Sequence, residues 1–540
     1  MCRKTRDPIK TVVVYRGSIT CRGEFYSGSL EGCPATDHPL VRTTSGEKIV
    51  FRGESFAGLL RKELVRYFGY ECKDYQGQAT GKNSQCNCKT CSLMGHSLVS
   101  ETESGKDALD YHSSRLRITG GVFKEAESRI RHGVAIERRF RTAALHKKHD
   151  MEALMPDAFA PFRIEIENPQ EHEKAAVEQI LAEINRGFIS LGGRKGAGFG
   201  RVAIDCSRHS FDLSTVKGVR DYLLGCDGDG EPVNLKDEVV CGAMDFLSCL
   251  DSLGDNYHGC RLMVPFDIRF PELFLVNDPL EAALVGSDHA AVLDHKDKPW
   301  LPPTTIKGVF RSRCEQILRT LNPKGACDSS CDKAESGSSL KSCISQINAP
   351  KVKKGRNQPS ADDIESEHFF CLGCQLFGST LRAGRVRFLP GVYLEKVENE
   401  ENGESRDHNR ILQHFIAIDR FAGGGKDSAK FDAWACHDVT FKDCCVVMED
   451  FRKWQIGLMA LVFKDLVQAD LHMGFGTRKG YGQAVGRFDP DQKVSLAARG
   501  KIYECRINEL LGHGIKPVLE EMVGEFRKTI DEFKEATYGA

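Results

Sequence analysis

Hydrophobic residues form two opening strand patterns, one in each half of the chain. The β-branched run Thr11-Val-Val-Val-Tyr15 predicts a strand near the start of the first half. Residues 260–264 and the alternating Phe266, Ile268 and Phe270 predict a second one. A loop rich in Gly, Ser and Asp follows each pattern. The same order of elements therefore begins twice.

Four helices are predicted around these strands. In each half one helix follows the opening strand, with Ser55 or Thr305 as its N-cap, and another precedes a later strand. The predicted helices cover residues 55–66, 171–186, 305–313 and 451–467. Strand, helix, strands, helix and strand around an antiparallel sheet is typical of a ferredoxin-like, RNA-recognition-motif-like α+β domain.

Short motifs indicate that the two halves are copies of one unit. The sequence Arg-Lys-Gly-x-Gly occurs at 194–198 and again at 478–482, an offset of 284 residues. Other matches keep the same order along the chain: Asp37 with Asp288, Gly58 with Gly308, 88–95 with 371–378, and 134–138 with 416–420. The offset rises by about 33 between Arg311 and Cys371, which predicts an insertion in the second copy. Residues present in both copies are the best candidates for chemistry.

Length and charge limit the organisation further. A chain of 540 residues is too long for one hydrophobic core. We expect a first domain at 1–212, a linker at 213–257, a second domain at 258–489 with an insertion near 315–368, and a helical extension at 490–540. Lys and Arg number 75 and Asp and Glu number 76, which excludes an overall basic charge, so any polyanion must meet local cations. Because no apolar run reaches about 18 residues and no signal-peptide pattern is present, we expect a soluble cytoplasmic protein.

The two glycine-rich segments suit the binding of an anion. Glycine permits positive φ angles and a close approach of the backbone, and successive N–H groups can form an anion nest. The segments lack the spacing of a P-loop. A flexible basic turn is the alternative interpretation. The candidate phosphate contacts are Arg194, Lys195, Gly196, Arg478, Lys479 and Gly480.

The 22 cysteines include a cluster in each copy. In a long chain without an export signal, clustered cysteines bind metal more often than they form disulfides. Four thiolates per copy can complete one structural zinc site per domain. The expected ligands are Cys72, Cys86, Cys88 and Cys91, then Cys327, Cys331, Cys371 and Cys374, with Cys343 between them and His96 or His368 as substitutes. Unpaired structural thiols are the alternative, and a redox role is disfavoured because neither Cys-x-x-Cys motif is expected to open a helix after a strand.

Together these motifs resemble the RAMP superfamily, and within it the backbone subunits of type III CRISPR effector complexes. The resemblance rests on the glycine-rich loop after a helix, the Gly-x-x-Arg helix behind an aspartate loop, and Ile-Asp-Arg-Phe-Ala-Gly-Gly at 418–424. It covers roughly residues 10–210 and 258–490. A chain with two copies is most similar to the tandem backbone subunit of type III-D systems or to single-chain type III effectors.

This resemblance implies partners and RNA contacts. The partners would be crRNA, a single-stranded target RNA and other type III effector subunits, without a membrane. The glycine-rich loops would hold the backbone of the guide RNA. A β-hairpin thumb, expected at 140–161 and at 421–434, would displace one base pair of the guide–target duplex. Further RNA contacts would come from Arg61, Arg138, Arg141, Arg311, Arg420 and Lys426.

The resemblance also implies that an aspartate loop in each copy cuts the target RNA with a divalent metal, Mg or Mn. The aspartates are Asp37 and Asp288, and such a carboxylate can hold a cation beside the scissile phosphate or orient the 2′-hydroxyl. His38 and His289 are candidates for proton transfer, and Asp294 is a rival in the second copy. A solvated surface aspartate is the alternative interpretation.

Three functions therefore stay open at the level of sequence. The first is a crRNA-binding backbone subunit that cuts target RNA at both aspartate loops. The second is a scaffold that binds crRNA without catalysis. The third is a ribonuclease that processes the precursor of the guide, which is disfavoured because RAMP processing enzymes rely more often on His, Tyr or Lys.

Overall fold

Helices and strands occur in the same order in the two halves of the chain. The structure is a computed structural model that describes residues 8–29, 36–69, 72, 86, 88–101, 107–137, 142–225, 230–233, 235, 239–253, 259–327, 342–343, 370–395, 410–498 and 500–533. Within these residues the α-helices are α1 (Gly53–Tyr67), α2 (Lys89–Met94), α3 (Glu171–Asn185), α4 (Val216–Leu223), α5 (Ala243–Ser252), α6 (Pro279–Leu284), α7 (Pro303–Leu321), α8 (Leu372–Phe377), α9 (Lys453–Val467), α10 (Ile507–Gly512) and α11 (Ile515–Glu532). None of these helices is long and apolar enough to cross a membrane.

The strands divide between the halves in the same way. Those before residue 242 are β1 (Thr11–Cys21), β2 (Val50–Phe51), β3 (His96–Glu101), β4 (Asp107–His112), β5 (Leu116–Thr119), β6 (Gly121–Val122), β7 (Ser128–Glu137), β8 (Thr142–Leu154), β9 (Phe159–Glu167), β10 (Val202–Asp212), β11 (Glu231–Pro232) and β12 (Val239–Cys241). Those after it are β13 (Arg261–Phe274), β14 (His289–Ala290), β15 (Val386–Leu389), β16 (Val392–Tyr393), β17 (Arg410–Ile418), β18 (Gly425–Glu449), β19 (Leu471–His472), β20 (Gln483–Arg487), β21 (Lys493–Ala498) and β22 (Lys501–Arg506).

Each half contains a ferredoxin-like sheet. In the first copy the strands lie in the order β10-β1-β9-β5, and every neighbouring pair is antiparallel. Helix α1 lies between β1 and β5 in the chain, and α3 connects β9 to β10. The second copy repeats this arrangement as β20-β13-β18-β15, with α7 and α9 in the equivalent places. This topology confirms the predicted α+β fold of two tandem domains.

Two hydrophobic cores correspond to the two copies. In β1 the alternate residues Val13, Tyr15 and Ile19 belong to the first core, where they meet α1 and α3. The second core contains Phe266, Ile268 and other aromatic and aliphatic residues of β13, α7 and α9. The first core also includes Ala497 and Ile502 from the second half. The two copies are therefore packed against each other.

The helices begin earlier than their predicted N-caps. Helix α1 begins at Gly53 after Arg52, and α7 begins at Pro303 after Pro302, so neither Ser55 nor Thr305 is a cap. Proline suits the first turn of a helix because its missing N–H would have no partner there. A Cβ at Gly53 would lie 2.5 Å from the carbonyl oxygen of Ile118, so only glycine fits this approach to β5. The second helices match the predictions at 171–186 and 451–467 within two residues.

The segments outside the two ferredoxin-like units contain more strands than the sequence analysis predicted. In the interval 213–257, strand β11 pairs with β10 of the first copy and β12 pairs with β22 of the second. The C-terminal segment, predicted to be helical, begins with the hairpin β21–β22 before α10 and α11. In β21, Val494 and Leu496 alternate with Lys493 and Ser495, as strands require. The domain boundaries stay a prediction.

A buried ionic network joins the two copies. Arg261, at the start of β13, is only 2% exposed, and its guanidinium group contacts Glu63 of α1 and Glu183 of α3. Glu449, at the end of β18, lies 3.9 Å from the same guanidinium group. Burial favours the neutral acid, yet Arg387, Arg261 and other cations hold the pKa of Glu449 well below its usual range. These cations keep Glu449 ionised, while burial raises the pKa of Glu183 in the same network.

Further polar contacts extend this interface. Arg66 of α1 lies 2.5 Å from Asp450 and 3.6 Å from Glu449. In the opposite direction, Arg387 of β15 donates to the carbonyl oxygen of Gly187 at 3.0 Å. The helical layer of the first copy thus faces the sheet of the second copy, and charged groups from both sides fix their relative position.

We predict that Arg261→Ala destabilises the chain by about 3–5 kcal/mol, because it leaves Glu63 and Glu183 buried without their partner. The free energy of unfolding from urea denaturation measures the effect. The matched control is Arg269→Ala on the same strand, whose side chain is 57% exposed and pairs with Asp438, and it should cost at most about 1 kcal/mol. Equal effects of the two substitutions would contradict the role of the network.

Candidate functional site

The two glycine-rich loops have the same backbone conformation. The N–H of Leu191 donates to the carbonyl oxygen of Gly200 at 2.9 Å, and the N–H of Met473 donates to that of Gly482 at 2.8 Å. Both glycines have positive φ, and a Cβ at either would lie 1.9 Å from the carbonyl oxygen opposite it. Glycine is therefore required at this position in both copies. The equivalent residues are 282 apart.

This register corrects the alignment of the charged residues. The sequence analysis paired Gly196 with Gly480 at an offset of 284, because the letters Arg-Lys-Gly match there. The backbone instead pairs Gly198 with Gly480, at φ 87° and 85°, and the short 3-10 helix Lys195–Ala197 with Thr477–Lys479. The loop conformation depends on residues at positive φ, which are glycines except that Arg194, at φ 54°, stands where the second copy has Gly476. The basic side chains of the two loops therefore leave the backbone from different positions.

The first glycine-rich loop contacts the second copy. The Nζ atom of Lys307 lies 3.1 Å from the place where a Cβ on Gly196 would be. Burial, together with the charge of Lys62, lowers the pKa of Lys195 to about 8. Burial and the charge of Arg311 likewise lower the pKa of Lys307 to about 8. Two desolvated ammonium groups at one junction would be stabilised by a phosphate.

The second loop brings its lysine to an aromatic cluster. The Nζ atom of Lys479 lies 4.0 Å from the ring centre of Phe431 and 5.7 Å from that of Phe475. Such positions favour a cation electrostatically. Arg478 and Gly480 are exposed, as are Arg194 and Gly196 in the first loop. Both loops therefore present cations and glycine backbone to solvent.

Both aspartate loops make the same contact with the neighbouring hairpin. Oδ2 of Asp37 accepts from the N–H of Asp150 at 2.9 Å, and Oδ2 of Asp288 accepts from the N–H of Asp432 at 2.9 Å. Residues next to each aspartate form short parallel pairings with β8 or β18, which fix the loops in place. Both aspartates are exposed. The structure therefore presents two equivalent carboxylates, each with one oxygen held by the backbone.

A histidine–aspartate pair lies beside each loop. Nδ1 of His132 is 2.7 Å from Oδ1 of Asp150, and Nδ1 of His414 is 2.6 Å from Oδ1 of Asp432. The sequence analysis missed these residues. A signal was present, because the match of 134–138 with 416–420 extends two residues upstream to His132 and His414 at the same offset of 282.

The predicted histidines have different surroundings. The ring of His289 lies 4.4 Å from that of Phe475 and 5.9 Å from that of Phe431, centre to centre. Burial and the charge of Lys479 lower its pKa, although Asp288 opposes the shift. The ring of His38 lies edge-on to His149 at 6.2 Å. His289 thus packs against aromatic rings beside its aspartate.

The side chain of Asp294 stabilises a turn. Its Oδ1 accepts from the N–H of Lys296 at 2.7 Å and from that of Lys298 at 3.0 Å, which closes a turn. Its carbonyl oxygen accepts from Arg129 of the first copy at 3.0 Å. Thr43 holds the equivalent turn in the first copy through the N–H of Lys48. The structure therefore separates Asp294 from the aspartate pair that both copies share.

The thumb hairpins are displaced from their predicted positions. They consist of β7 with β8 and of β17 with β18, so residues 134–137 of the first motif and 416–420 of the second lie inside the hairpins and not before them. Pro161 belongs to β9 of the central sheet. In the second copy Asp419 closes the tip by accepting from the N–H groups of Phe421 and Ala422, and Phe421 is fully exposed beside Arg420 and Lys426. Arg138 and Arg141 lie outside the described residues.

Two arginines that are predicted to contact RNA donate hydrogen bonds to backbone carbonyl groups. Arg61 donates to the carbonyl oxygens of Met94 and Gly95 at 2.9 and 2.7 Å. Arg311 donates to the carbonyl oxygen of Gly378 at 3.0 Å. All three acceptors lie at the end of the short helix that a Cys-x-x-Cys motif opens. These arginines hold the cysteine clusters against α1 and α7, and their contacts with RNA stay a prediction.

Each copy contains a buried cluster of four thiols. The clusters are Cys72, Cys86, Cys88 and Cys91, and Cys327, Cys343, Cys371 and Cys374, with the sulfur atoms of each within 4.8 Å of one another. The sulfur atoms lie 3.5 Å apart in Cys72 and Cys91 and 3.6 Å apart in Cys327 and Cys374. Zn–S bonds of about 2.3 Å in a tetrahedron require sulfurs about 3.8 Å apart. The two clusters therefore fit structural zinc.

Details of the clusters differ from the prediction. Cys343 takes the fourth place in the second cluster, where Cys331 was predicted, and Cys331 lies outside the described residues. Both Cys-x-x-Cys motifs open short helices, because the Sγ atoms of Cys88 and Cys371 accept N–H groups of Cys91 and Cys374. The spacing of cysteines across an insertion does not reveal which one returns to the site.

Comparison with known proteins agrees with the duplication. The family model described as the RAMP superfamily matches residues 32–203 and 282–485, one segment in each copy. Both segments begin just before an aspartate loop and end just after a glycine-rich loop. A search of curated proteins finds no match to the chain.

We predict that the purified chain carries about two zinc ions, one per cluster, as measured by elemental analysis. Cys343→Ser should remove about one zinc and destabilise the second copy, because a closed site stabilises loops that lack their own core. The matched control, Cys331→Ser, should retain both ions. A wild-type content well below one ion per chain, or equal losses in the two variants, would contradict this assignment.

Proposed function

This chain belongs to the RAMP superfamily of CRISPR-associated RNA-binding proteins, and we propose that it binds a crRNA and cuts the complementary target RNA at two loops. The main support for this proposal is that the aspartates of the two copies have the same geometry. Asp37 and Asp288 are both exposed and meet the hairpin through identical 2.9 Å hydrogen bonds, although 251 residues separate them. This contact gives both carboxylates the same orientation at the surface, as a task shared by the two copies would require.

Binding of the guide would use the glycine-rich loops. Their positive-φ glycines and exposed cations suit phosphates, which carry no base identity. Lys195 precedes Gly196, which Lys307 of the second copy approaches, so a strand of RNA crossing from one copy to the other would pass both cations. The neutral overall composition is compatible with this function because the charge is concentrated along such a path.

Cleavage would require Mg or Mn beside each aspartate loop. The N–H of Asp150 or Asp432 occupies one carboxylate oxygen and leaves the other available, and Mg binds through one or two carboxylates together with substrate phosphate. The residues that would hold the ion are therefore Asp37 and Asp288. The metal would neutralise charge at the scissile phosphate. The protein would position this phosphate between the aspartate loop and the thumb hairpin.

The thumb of the second copy supports a role in distorting the target. Phe421 is fully exposed at a tip that Asp419 holds closed. A large apolar ring in water is unfavourable unless a partner covers it, and an unstacked base would do so. A stacked A-form strand keeps its 2′-hydroxyl off the line of attack, so displacement of one base would precede cleavage. By its tandem architecture the chain would serve as a backbone subunit of a type III-D-like complex, or of a single-chain type III effector, together with other effector subunits.

We predict that Asp37→Asn removes one of two cuts in a complementary RNA and that Asp288→Asn removes the other, with guide affinity unchanged. Asparagine can still accept the backbone hydrogen bond, so the loop should keep its shape while losing the ionised carboxylate. The products are mapped on end-labelled target with Mg or Mn, and EDTA should abolish both cuts. The matched control is Asp294→Asn, which preserves the turn and should leave both cuts.

Persistence of both products in the Asp37→Asn and Asp288→Asn variants would contradict catalysis by these loops. The chain would then be a scaffold that binds crRNA while another subunit cuts. Loss of both cuts in either single variant would contradict independent sites, because each carboxylate is expected to serve only its own phosphate.

We also predict that replacing Arg194, Lys195, Arg478 and Lys479 by alanine weakens the binding of guides of unrelated sequence equally. Four lost phosphate contacts should reduce the slope of log affinity against log salt by up to about 3. Filter binding over a series of salt concentrations measures this. The control replaces exposed cations of α11, namely Lys516, Arg527 and Lys528, and should keep the slope. Loss of binding for one guide sequence alone would indicate that the loops recognise bases instead.

A further inference from the structure

We propose that His132 and His414 are the proton donors to the departing 5′-oxygen, each at the cut made by its own copy. This inference rests on the proposed function and adds a catalytic group that the aspartate loops do not provide. It follows from a geometry that both copies share, and it assigns the donor to residues outside the predicted Asp-His motifs.

One aspartate in each copy connects the loop to a histidine. In the first copy the backbone N–H of Asp150 contacts Asp37 at 2.9 Å, while its carboxylate contacts His132 at 2.7 Å. In the second copy Asp432 makes the equivalent contacts with Asp288 at 2.9 Å and His414 at 2.6 Å. The two histidines are exposed and therefore accessible to a strand of RNA. The same two hydrogen bonds, from the loop aspartate to the hairpin aspartate and from there to the histidine, occur in both copies, which argues for a shared task.

The chemistry of cleavage requires two different groups. An ionised carboxylate can only accept hydrogen bonds, so Asp37 or Asp288 suits the hydroxyl or cation side of the reaction. The departing oxygen needs a donor, and protonated imidazole is the side chain best suited to donate near neutral pH. A carboxylate bound to Nδ1 orients the ring and leaves Nε2 available. The pair therefore has the donor that the loop lacks.

The proposed step is an attack within the target strand that releases the 5′-oxygen. The 2′-oxygen of the target attacks the neighbouring phosphorus, which forms the 2′-O–P bond and breaks the P–O5′ bond. The 2′ proton passes to solvent, and Nε2 of the histidine gives its proton to the 5′-oxygen. The products are a 2′,3′-cyclic phosphate and a 5′-hydroxyl, and the imidazole takes a new proton from water.

The histidines of the Asp-His motifs are less suited to this role. The ring of His289 packs against Phe475 and Phe431, and its buried Nδ1 has no hydrogen-bond partner among the described residues. His38 contacts the ring of His149. Neither arrangement reproduces the carboxylate contact that His132 and His414 share. The contact that both copies share is the one between histidine and aspartate on the hairpins, at His132 and His414.

The experiment compares two forms of the target RNA in the full chain assembled with its guide. One form has ordinary phosphodiesters, and the other has a bridging 5′-sulfur at the two cut positions, because a thiolate departs without protonation. We expect His132→Ala to slow the first cut of the ordinary target by about 10²-fold or more. The same variant should cut the sulfur-substituted position within about threefold of the wild-type rate. His414→Ala should show the same behaviour at the second cut only.

Two further variants distinguish proton donation from positioning. His132→Gln can still hydrogen-bond to Asp150 but cannot donate a proton, so it should be as slow as His132→Ala on the ordinary target. Restored cleavage by glutamine, or an equal deficit on both targets, would overturn the proposal. The control His513→Ala, at an exposed position after α10, should leave both cuts unchanged.

The outcomes also separate this inference from the proposed function. If the aspartate variants abolish the cuts while both histidine variants cut the ordinary target at the wild-type rate, proton donation by His132 and His414 is wrong and the proposed function stands. If the wild-type chain with its guide cuts neither target, the proposed function itself is wrong. Selective rescue by sulfur at the matching cut supports both.

Discussion

The contact of Arg261 with Glu63 and Glu183 is the interaction on which the rest of the structure depends. It is buried between the helical layer of the first copy and the sheet of the second, where an unpaired charge would be strongly destabilising. The second copy does not offer the same pocket, because Arg313 and Asp465 occupy the equivalent positions and pair with each other at 2.6 Å. Helix α11 packs against α9 there instead, with Gly457 in contact with the backbone of Met522. The duplication has therefore diverged into two distinct faces.

This fixed placement has a consequence for RNA. The first glycine-rich loop reaches α7 of the second copy, where Lys307 approaches Gly196, and burial lowers the pKa of both Lys195 and Lys307. The two aspartate loops keep a constant separation as long as the interface holds, because each is attached to a hairpin of its own copy. A strand that follows the cations would then meet two carboxylates at a set distance. The spacing of the proposed cuts therefore depends on the stability of the interface.

The sequence revealed the duplicated fold and the aspartate loops because glycines, aspartates and cysteines matched in order. It gave the wrong register within the glycine-rich loops, since Arg-Lys-Gly letters match at 284 whereas glycines at positive φ repeat at 282. The sequence could not show that Cys343 and not Cys331 completes the second cluster. The number of residues in an insertion does not tell which of its cysteines lies near the other ligands. The roles of Arg61 and Arg311 depend on carbonyl groups at the end of a neighbouring helix, which only the structure brings near. The His132 pair was within reach, two residues beyond a recognised match.

Mapping cleavage positions for several guide–target pairs of unrelated sequence tests the central claim most directly. The wild-type chain is assembled with each guide, and the product ends are determined at single-nucleotide resolution. If two equivalent sites are held by one rigid interface, every target should be cut at two positions with a constant spacing, counted from the end of the guide and independent of the bases. A single cut, or cuts whose spacing changes with the sequence, would contradict the account.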